Sequence, residues 1–508
     1  MNKQKLLCKD SNIVSIVLVL SGICCLVVFL LRPINDPDFF WHLKTGEWII
    51  QHHALPHIDP FTINPPDSPE PRQKFILYSY WLYQVIVFWV FNTLGFPGII
   101  IIRFLLAGVV IFNICRNFKL SNTMGLSICI LSAILFLKEY TLDRPQTISF
   151  VFFIILLLTL FRFIDNQVED RSIYRYTTGI ALLMLAWGNI HGGYLVGQII
   201  LLLVCATEGC KFLHQSLRPM TRSRYFGLAG IVFVALVCSL INPNHVNGIV
   251  QMVSVSSVNS MASGINTEYI SVFKKWQETR SVVIFIYYFI AIIVAVVAAQ
   301  SYRRADITKL AILICTGYLG FMHIRYFPFF MITAAIFIWK SQGTGRGAQI
   351  VSSVVVLVTI ASICLCFPSG AVIPENKSMG RWVDHDVFPV EAADFLKERH
   401  AQGGIFSHYR WGGYLIWRLA PEMKPFVDGR NMDFKRFFDY SYCEEITESG
   451  KSDQKCKKMF QDYGINYVVI NIYDSAGVIH PLLYSIGEDP DWKLIYEERN
   501  VAVFQRIK

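Results

Sequence analysis

The sequence contains few charged residues. Only 16% of its 508 residues are charged, against about 25% in an ordinary soluble domain, whereas 54% are hydrophobic. Such a chain has too few polar side chains to cover itself in water. Its apolar residues also fall into separate runs of roughly 16 to 20, the length that a helix needs to cross a hydrocarbon core about 30 Å thick. The composition therefore excludes an ordinary soluble protein and predicts a membrane protein.

The sequence also lacks the common motifs of nucleotide-binding proteins and hydrolases. It has no Walker loop, no dinucleotide-binding glycine pattern, no CxxC pair and no serine hydrolase elbow. It shows no internal repeat, and no inverted pair of broken helices of the kind that secondary transporters use. These absences argue against nucleotide hydrolysis, dinucleotide redox chemistry and secondary transport.

The apolar runs predict a polytopic α-helical membrane protein with about eleven transmembrane helices. Lys and Arg concentrate in alternate loops between the runs, and the positive-inside rule places these loops and the N-terminus in the cytoplasm. The formal net charge of +9 therefore reflects topology, and no nucleic acid partner is expected. The segment from Tyr78 to Leu94 is interpreted as an interfacial or re-entrant helix, because a twelfth crossing would place the later basic loops on the wrong face. The predicted helices span residues 12–31, 97–114, 122–137, 146–163, 177–190, 193–207, 225–241, 282–299, 307–322, 326–339 and 349–367.

This topology places the unusual polar segments on the extracytoplasmic side. Polar groups at membrane depth are costly and usually functional, so an active site is predicted at the outer face. The predicted domains are a transmembrane portion at 1–373, with a first extracytoplasmic loop at 32–96, and a soluble extracytoplasmic domain at 374–508. The outer segments are residues 32–80, 143–145, 189–193, 242–280 and 323–325, together with the C-terminal tail.

The tail has an ordinary charge density and short alternating apolar segments, which predict a small α/β domain. Trp411 and Tyr414 follow its first predicted strand, where such domains place binding groups, and their rings are suited to stack on sugars. Asp428 and Arg430 follow the next strand and either contact a ligand or pair with each other to fix a turn. The predicted helices are residues 389–400, 433–446 and 453–463, and the predicted strands are 404–407, 424–427, 466–470, 493–496 and 501–506.

Two cysteines fall in this tail. Cys443 and Cys456 form a disulfide if the tail is extracytoplasmic, and the alternative is a pair of free thiols carried on helices.

The first outer loop begins with an acidic pair. Asp36 followed by Pro37 predicts a helix N-terminus, with the helix running to about His53. Asp38 and His42 are four residues apart and therefore share one face of that helix. One interpretation is a helix on the membrane surface, capped by Asp36 and anchored by Trp41. The other is a pair of carboxylates for acid/base or metal chemistry, in which one accepts a proton from an attacking hydroxyl.

A long outer loop that opens with an acidic pair directly after the first membrane helix resembles the GT-C superfamily of membrane glycosyltransferases. That superfamily includes protein O-mannosyltransferases, lipid A aminoarabinose transferases and RgtA/B/C/D-like bacterial enzymes. The segments DPDFFWHLKTGEWI, RPQ, NIHGGY, INPNHVNG, WGGYLIWRL and DGR also resemble a bacterial family of glycosyltransferase-like membrane proteins. This chain departs from the aminoarabinose transferases in having Asp-Pro-Asp in place of Asp-Glu. Asp-x-Asp spacing also occurs in GT-C members that bind a divalent metal, so dependence on Mg or Mn stays open.

The resemblance implies a catalytic group of three residues in the first loop. Asp36 is the general base, Asp38 is its partner, and His42 lies beside them on the helix. The implied donor is a polyprenyl-phosphate-linked sugar, whose phosphate Arg144, Arg325 and His191 would bind because Arg suits bidentate phosphate contacts. The alternative for these cations is contact with lipid phosphates or helix-end carbonyls. Weaker phosphate-binding candidates are His245 and His323, and the acceptor or sugar contacts are Trp41, Trp411, Tyr414, Asp428 and Arg430.

The leading hypothesis is an inverting glycosyltransferase of a bacterial inner membrane. It passes a sugar to a glycan, lipid or protein acceptor at the extracytoplasmic face, with membrane lipids around it. The second hypothesis is a noncatalytic GT-C-like protein that binds a glycan or a partner. The third is a lipid-linked glycan flippase or polymerase, which would require a charged path across the membrane.

Overall fold

The computed structural model describes most of the chain. It describes residues 26–27, 30–117, 143–165, 172–214, 217, 219–255, 267–280, 284, 288, 291–292, 294–296, 298–299, 306–341, 382–445, 454–473 and 477–507.

The chain divides into two compact units. The first consists of Met1–Arg32 and Ile100–Val372, and the second consists of Pro33–Ile99 and Ile373–Lys508. The segment after the first predicted membrane helix therefore groups with the C-terminal tail, whereas the sequence assigned it to the transmembrane portion.

The first unit is built from apolar helices. Among the described residues, four helical stretches are long and apolar enough to cross a membrane. Pro145–Ile164, Tyr194–Leu213 and Arg222–Ser239 lie in this unit, whereas the fourth, Pro71–Asn113, begins in the second unit. The predicted helices at 122–137 and 349–367, and most of those at 12–31 and 282–299, lie outside the described residues, so the number eleven stays a prediction. The helices of this unit include Pro145–Ile164, Ile173–Ile190, Tyr194–Cys210, Arg222–Ser239, His245–Val255, Val272–Thr279, Ile307–Met322 and Phe327–Ser341.

A continuous apolar core joins these helices. Phe153, Leu157 and Phe161 pack with Trp187 and Ile200 in one cluster, and each of these five side chains is fully buried. Close approach of two helices depends on a small residue, because a Cβ atom on Gly188 would lie 2.5 Å from the backbone oxygen of Ser239. Small residues at such contacts are typical of helix packing in membrane proteins.

The second unit contains a five-stranded sheet with the order β2-β1-β3-β5-β4. The strands are β1 (Gly403–Ser407), β2 (Met423–Pro425), β3 (Ile465–Asn471), β4 (Trp492–Glu498) and β5 (Val501–Arg506). β1 pairs in parallel with β2 and β3, and β5 is antiparallel to β3 and β4. The helices of this unit are Pro37–His52, Pro71–Tyr78, Val390–Glu398, Gly412–Leu419, Phe434–Glu445, Gln454–Asp462 and Pro481–Gly487.

One long helix, Trp81–Asn117, contains a bend. Gly95 has φ 63° and ψ −153°, a left-handed backbone conformation that favours glycine, and Pro97 follows two residues later. The bend separates the stretch that the sequence interprets as interfacial from the predicted membrane helix at 97–114.

Candidate functional site

The acidic pair of the first loop lies at the start of the Pro37–His52 helix. Asp36 is the N-cap, and its Oδ1 accepts a hydrogen bond of 2.9 Å from the backbone N–H of Asp38. Pro37 occupies the first helical position, where its missing N–H costs no hydrogen bond. Asp36 is fully buried and Asp38 is half-buried. The predicted cap is therefore present, and Asp38 is the more accessible of the two carboxylates.

Asp38 is held between an indole and a glycine. The indole N–H of Trp41 donates to Oδ1 of Asp38 at 3.1 Å. On the other side, a Cβ atom on Gly429 would lie 2.1 Å from the same oxygen, so this carboxylate rests directly against the backbone of the turn after β2. A Cβ atom on Gly413 would likewise lie 2.3 Å from the backbone oxygen of Pro37. The WGG and DGR segments thus use glycine to approach the start of this helix.

Arg430 forms a buried charge cluster beside this contact. It donates to both carboxylate oxygens of Asp428, at 2.8 and 2.7 Å, and to Asp59 at 2.7 Å. All three side chains are almost fully buried. Burial by itself lowers the pKa of Arg430, but Asp428 and Asp59 outweigh it and raise that pKa above its usual value. Asp428 and Arg430 therefore do pair with each other, and Asp59 is a partner that sequence reasoning missed.

His42 lies in an aromatic environment. Its ring centroid is 3.5 Å from that of Trp41 and 5.1 Å from that of Tyr80, and its Nδ1 lies 3.3 Å from the amide nitrogen of Gln84. The side chain is 2% exposed. These contacts give His42 a packing role, and its predicted catalytic role stays a prediction.

The two predicted sugar-stacking residues are buried. Trp411 donates its indole N–H to the backbone oxygen of Val387 at 2.8 Å. The ring of Tyr414 packs edge-on against Phe40, at 5.0 Å, and stacks on Phe388, at 5.2 Å. Both rings contribute to the core of this unit, so a role in contacting sugar stays a prediction.

The described residues offer few ligands for a divalent metal. Within that part of the chain, no group of three His, Cys, Asp or Glu side chains is placed to hold an ion. Oδ1 of Asp36 is engaged in capping, and Oδ1 of Asp38 accepts from Trp41. Dependence on Mg or Mn stays a prediction.

The predicted phosphate-binding arginines meet in the first unit. A guanidinium nitrogen of Arg144 lies 3.1 Å from Glu268, and one of Arg325 lies 3.8 Å from the same carboxylate. Arg325 also donates to the hydroxyl of Tyr269. Glu268 and Tyr269 were missed because they lie far from both arginines in sequence. Glu268 thus brings the two guanidinium groups together.

A buried ion pair fixes the turn that carries Arg144. Arg103 donates to both oxygens of Asp143, at 2.8 and 2.6 Å, and also to the backbone oxygens of Leu30 and Arg32. Arg103 and Asp143 are 1% and 2% exposed in their side chains. Sequence reasoning missed Arg103, although a charge inside an apolar run is itself a signal of function.

His191 lies close to these arginines and is buried. Its Nδ1 is 2.7 Å from the hydroxyl of Ser149 and 2.9 Å from the backbone nitrogen of Gly193. Burial lowers the pKa of His191 well below its usual value, and the positive charges of Arg325 and Arg144 lower it further. The weaker candidates differ: His323 is buried and donates to the backbone oxygen of Tyr269, whereas His245 is exposed.

The predicted residues thus form one group in each unit. Arg144, Arg325 and His191 lie together in the first unit, and the structure adds Glu268 to them. In the second unit, the residues that meet at the start of the Pro37–His52 helix or pack on it are Asp36, Asp38, Trp41, His42, Tyr414, Asp428 and Arg430. Trp411 is buried in the same unit.

Comparison with known proteins gives matches by structure only. No family model and no curated protein matches the sequence. The archaeal oligosaccharyltransferase AglB from Archaeoglobus fulgidus, solved with an inhibitory peptide and a dolichol-phosphate, is similar with a TM-score of 0.52 and 11% identity. The match covers 91% of this chain and 70% of AglB. The same enzyme has also been solved with Zn and sulfate, with a TM-score of 0.50 and 12% identity over 90% of this chain and 68% of that one.

The arabinofuranosyltransferase AftD from Mycobacteria is similar as well. Its TM-score is 0.54 and its identity is 12%, over 96% of this chain. This chain spans 41% of the length of AftD. Both neighbours are glycosyltransferases of the GT-C superfamily. The chain is therefore similar in fold to these two glycosyltransferases, in agreement with the resemblance of its sequence to that superfamily.

Proposed function

We propose that this protein is a membrane glycosyltransferase of the GT-C type. It transfers a sugar from a polyprenyl-phosphate-linked donor to an acceptor at the extracytoplasmic face. The observation that carries the proposal is the approach of Arg144 and Arg325 to the same carboxylate, Glu268, because two neighbouring guanidinium groups are suited to bidentate contacts with a phosphate. A lipid-linked donor supplies that phosphate, and the structural neighbour AglB was solved with a lipid phosphate.

The acidic pair supplies the other half of the chemistry. In an inverting transfer, Asp36 takes the proton of the acceptor hydroxyl, with Asp38 orienting that hydroxyl. The acceptor oxygen forms its bond to the anomeric carbon while the bond from that carbon to the phosphate oxygen breaks. The electron pair of the broken bond leaves with the lipid phosphate, whose growing negative charge Arg144 and Arg325 stabilise.

The orientation of the tail is supported by its cysteines. Cys443 and Cys456 are joined by a disulfide, with their Cα atoms 5.7 Å apart. Disulfides persist in oxidising compartments such as the bacterial periplasm and are rare in the cytosol. The bond thus supports an extracytoplasmic tail on a protein of a bacterial inner membrane.

Substitution of Asp36 by Asn tests the proposed base. Asn caps a helix about as well as Asp, so Asp36→Asn removes the charge while keeping the hydrogen bond to the N–H of Asp38. We expect loss of sugar transfer in membranes that contain the donor pool, with unchanged expression and elution in detergent. Asp36→Ala is the matched variant that removes the cap as well. If Asp36→Asn retains full transfer, Asp36 is not the base.

A noncatalytic GT-C-like protein is the second candidate, and one observation favours it. Asp36 is fully buried and its carboxylate caps a helix, which is a structural role. Under this alternative, the Asp36→Asn and Asp38→Asn variants both complement a deletion strain. Under the proposed function, neither does.

A further inference from the structure

We propose that Ser149 and Gly193 hold His191 in a single tautomer, with its hydrogen on Nε2, so that His191 serves as a neutral hydrogen-bond donor to the donor phosphate. This inference rests on the proposed function and assigns a chemical role within the same cationic cluster. It also makes Ser149 and Trp187 positioning residues, since both act through His191.

The direction of each hydrogen bond follows from donor chemistry. The indole N–H of Trp187, which can only donate, lies 2.7 Å from Oγ of Ser149. The hydroxyl of Ser149 therefore accepts from Trp187 and uses its own hydrogen toward Nδ1 of His191, 2.7 Å away. The backbone N–H of Gly193 donates to the same Nδ1 at 2.9 Å. Because Nδ1 accepts from two donors it carries no hydrogen, and a neutral imidazole then has its hydrogen on Nε2.

The packing leaves this arrangement little freedom. Ser149 and Trp187 are 0% exposed, and His191 is 5% exposed. A Cβ atom on Gly193 would lie 2.8 Å from both Nδ1 of His191 and Oγ of Ser149, so a larger residue there would have to displace one of these two side chains. Ser149 belongs to the Pro145–Ile164 helix, whose N-cap is Arg144. The helix that carries one phosphate-binding arginine thus also sets the orientation of the imidazole.

The charge state of His191 agrees with a donor role. Burial, then Arg325 and Arg144, keep its pKa well below the usual value, so the ring is uncharged at neutral pH. A neutral imidazole does not repel the two neighbouring guanidinium groups, whereas a protonated imidazolium would. A phosphate oxygen can accept from the imidazole N–H and from the arginines together.

The tautomer can be measured without any substrate. The full-length protein, labelled with ¹⁵N-histidine and held in lipid nanodiscs, is compared with His191→Gln to assign the His191 signals. We expect a protonated Nε2 and an unprotonated Nδ1 at pH 7, and a shift toward mixed tautomers in Ser149→Ala. A protonated Nδ1 in the unmodified protein would overturn the inference.

The donor role is tested by binding of undecaprenyl phosphate and of farnesyl phosphate in the same nanodiscs. Loss of one hydrogen bond to a charged group predicts about tenfold weaker binding by His191→Asn. His191→Gln can place an amide N–H near the position of Nε2 and should lose less. Thr333→Val, which also removes a buried hydroxyl from this unit, is the control and should bind like the unmodified protein.

The outcomes separate the two proposals. If the unmodified protein binds the lipid phosphates and His191→Asn binds them equally well, the inference about His191 fails and the proposed function stands. If the unmodified protein binds neither lipid phosphate, the proposed donor fails, while the NMR result still decides the tautomer. Weaker binding by His191→Asn with partial recovery in His191→Gln supports both.

Discussion

Oδ1 of Asp38 occupies the space that a side chain at position 429 would need, since a Cβ atom on Gly429 would lie 2.1 Å from it. Gly429→Ala must therefore displace the Asp38 carboxylate or the turn after β2. We expect at least a tenfold loss of transfer if Asp38 orients the acceptor, because displacements near 1 Å are enough to cost about 100-fold in well-positioned sites. The measurement is the transfer rate of Gly429→Ala, compared with its thermal stability.

Gly487→Ala provides the control for that variant. A Cβ atom on Gly487 meets no atom within 4 Å, so this change should alter neither transfer nor stability. If Gly429→Ala transfers sugar at the unmodified rate, then Asp38 does not depend on this contact.

The Asp59–Arg430 pair should stabilise the second unit. Asp59→Asn leaves a buried guanidinium with Asp428 as its remaining carboxylate partner, and removing one member of a buried pair costs about 3 kcal/mol. We expect a lower midpoint of thermal unfolding for the full-length protein in detergent. Asp67→Asn, at an exposed position of the same segment, should leave the midpoint unchanged. Equal midpoints for both variants would show that the pair contributes nothing.

Arg103 requires its planar guanidinium. Arg103→Lys keeps the positive charge but cannot donate to both oxygens of Asp143 and to the backbone oxygens of Leu30 and Arg32 at once. We expect a loss of about 2 kcal/mol in stability, from the unmatched buried groups, together with weaker lipid-phosphate binding through the displaced Arg144. Arg116→Lys, at an exposed position of the same long helix, is the control. Equal stability and equal lipid-phosphate binding for the two variants would contradict the role of the Arg103 guanidinium.

The lowered pKa of His408 predicts that the stability of the protein depends on pH. Burial lowers its pKa below the usual value of 6.5, with Glu444 opposing and Arg410 and His480 adding to the shift. The unfolded chain therefore binds more protons than the folded protein as pH falls below about 6.5, and stability declines there. His408→Asn preserves an acceptor for the N–H of Arg410 but does not titrate, so its unfolding midpoint should fall less between pH 7 and pH 5. Parallel curves for both proteins would exclude His408 as the cause.

Local signals in the sequence predicted most elements well. The Asp36-Pro37 pair marked the start of the Pro37–His52 helix within one residue, because cap and proline chemistry act over a few residues. The helix predicted at 307–322 has those bounds in the structure. In the tail, the Gly412–Leu419 helix was missed, because glycine has a low helix propensity and two glycines stand at its start.

Long-range pairing was the part that the sequence did not show. Asp59 and Arg430, or Arg144 and Glu268, are partners across more than a hundred residues, and nothing in either local segment indicates the other. The sequence also did not indicate which of the predicted site residues are buried. Trp411 and Tyr414 are residues of the kind that stack on sugars, yet both are buried, and the ring of Tyr414 packs beside Phe40 and Phe388.

The Cys443–Cys456 bond offers a test of the proposed extracytoplasmic location of the tail. Because it links residues 13 positions apart, its reduction changes the compactness of the denatured chain and hence its migration in a non-reducing gel. Cells in which periplasmic thiol oxidation is disabled should yield only the slower, reduced form. Finding the faster form there would mean that the bond forms after lysis. The side of the bilayer that holds the tail would then have to be determined by a different measurement.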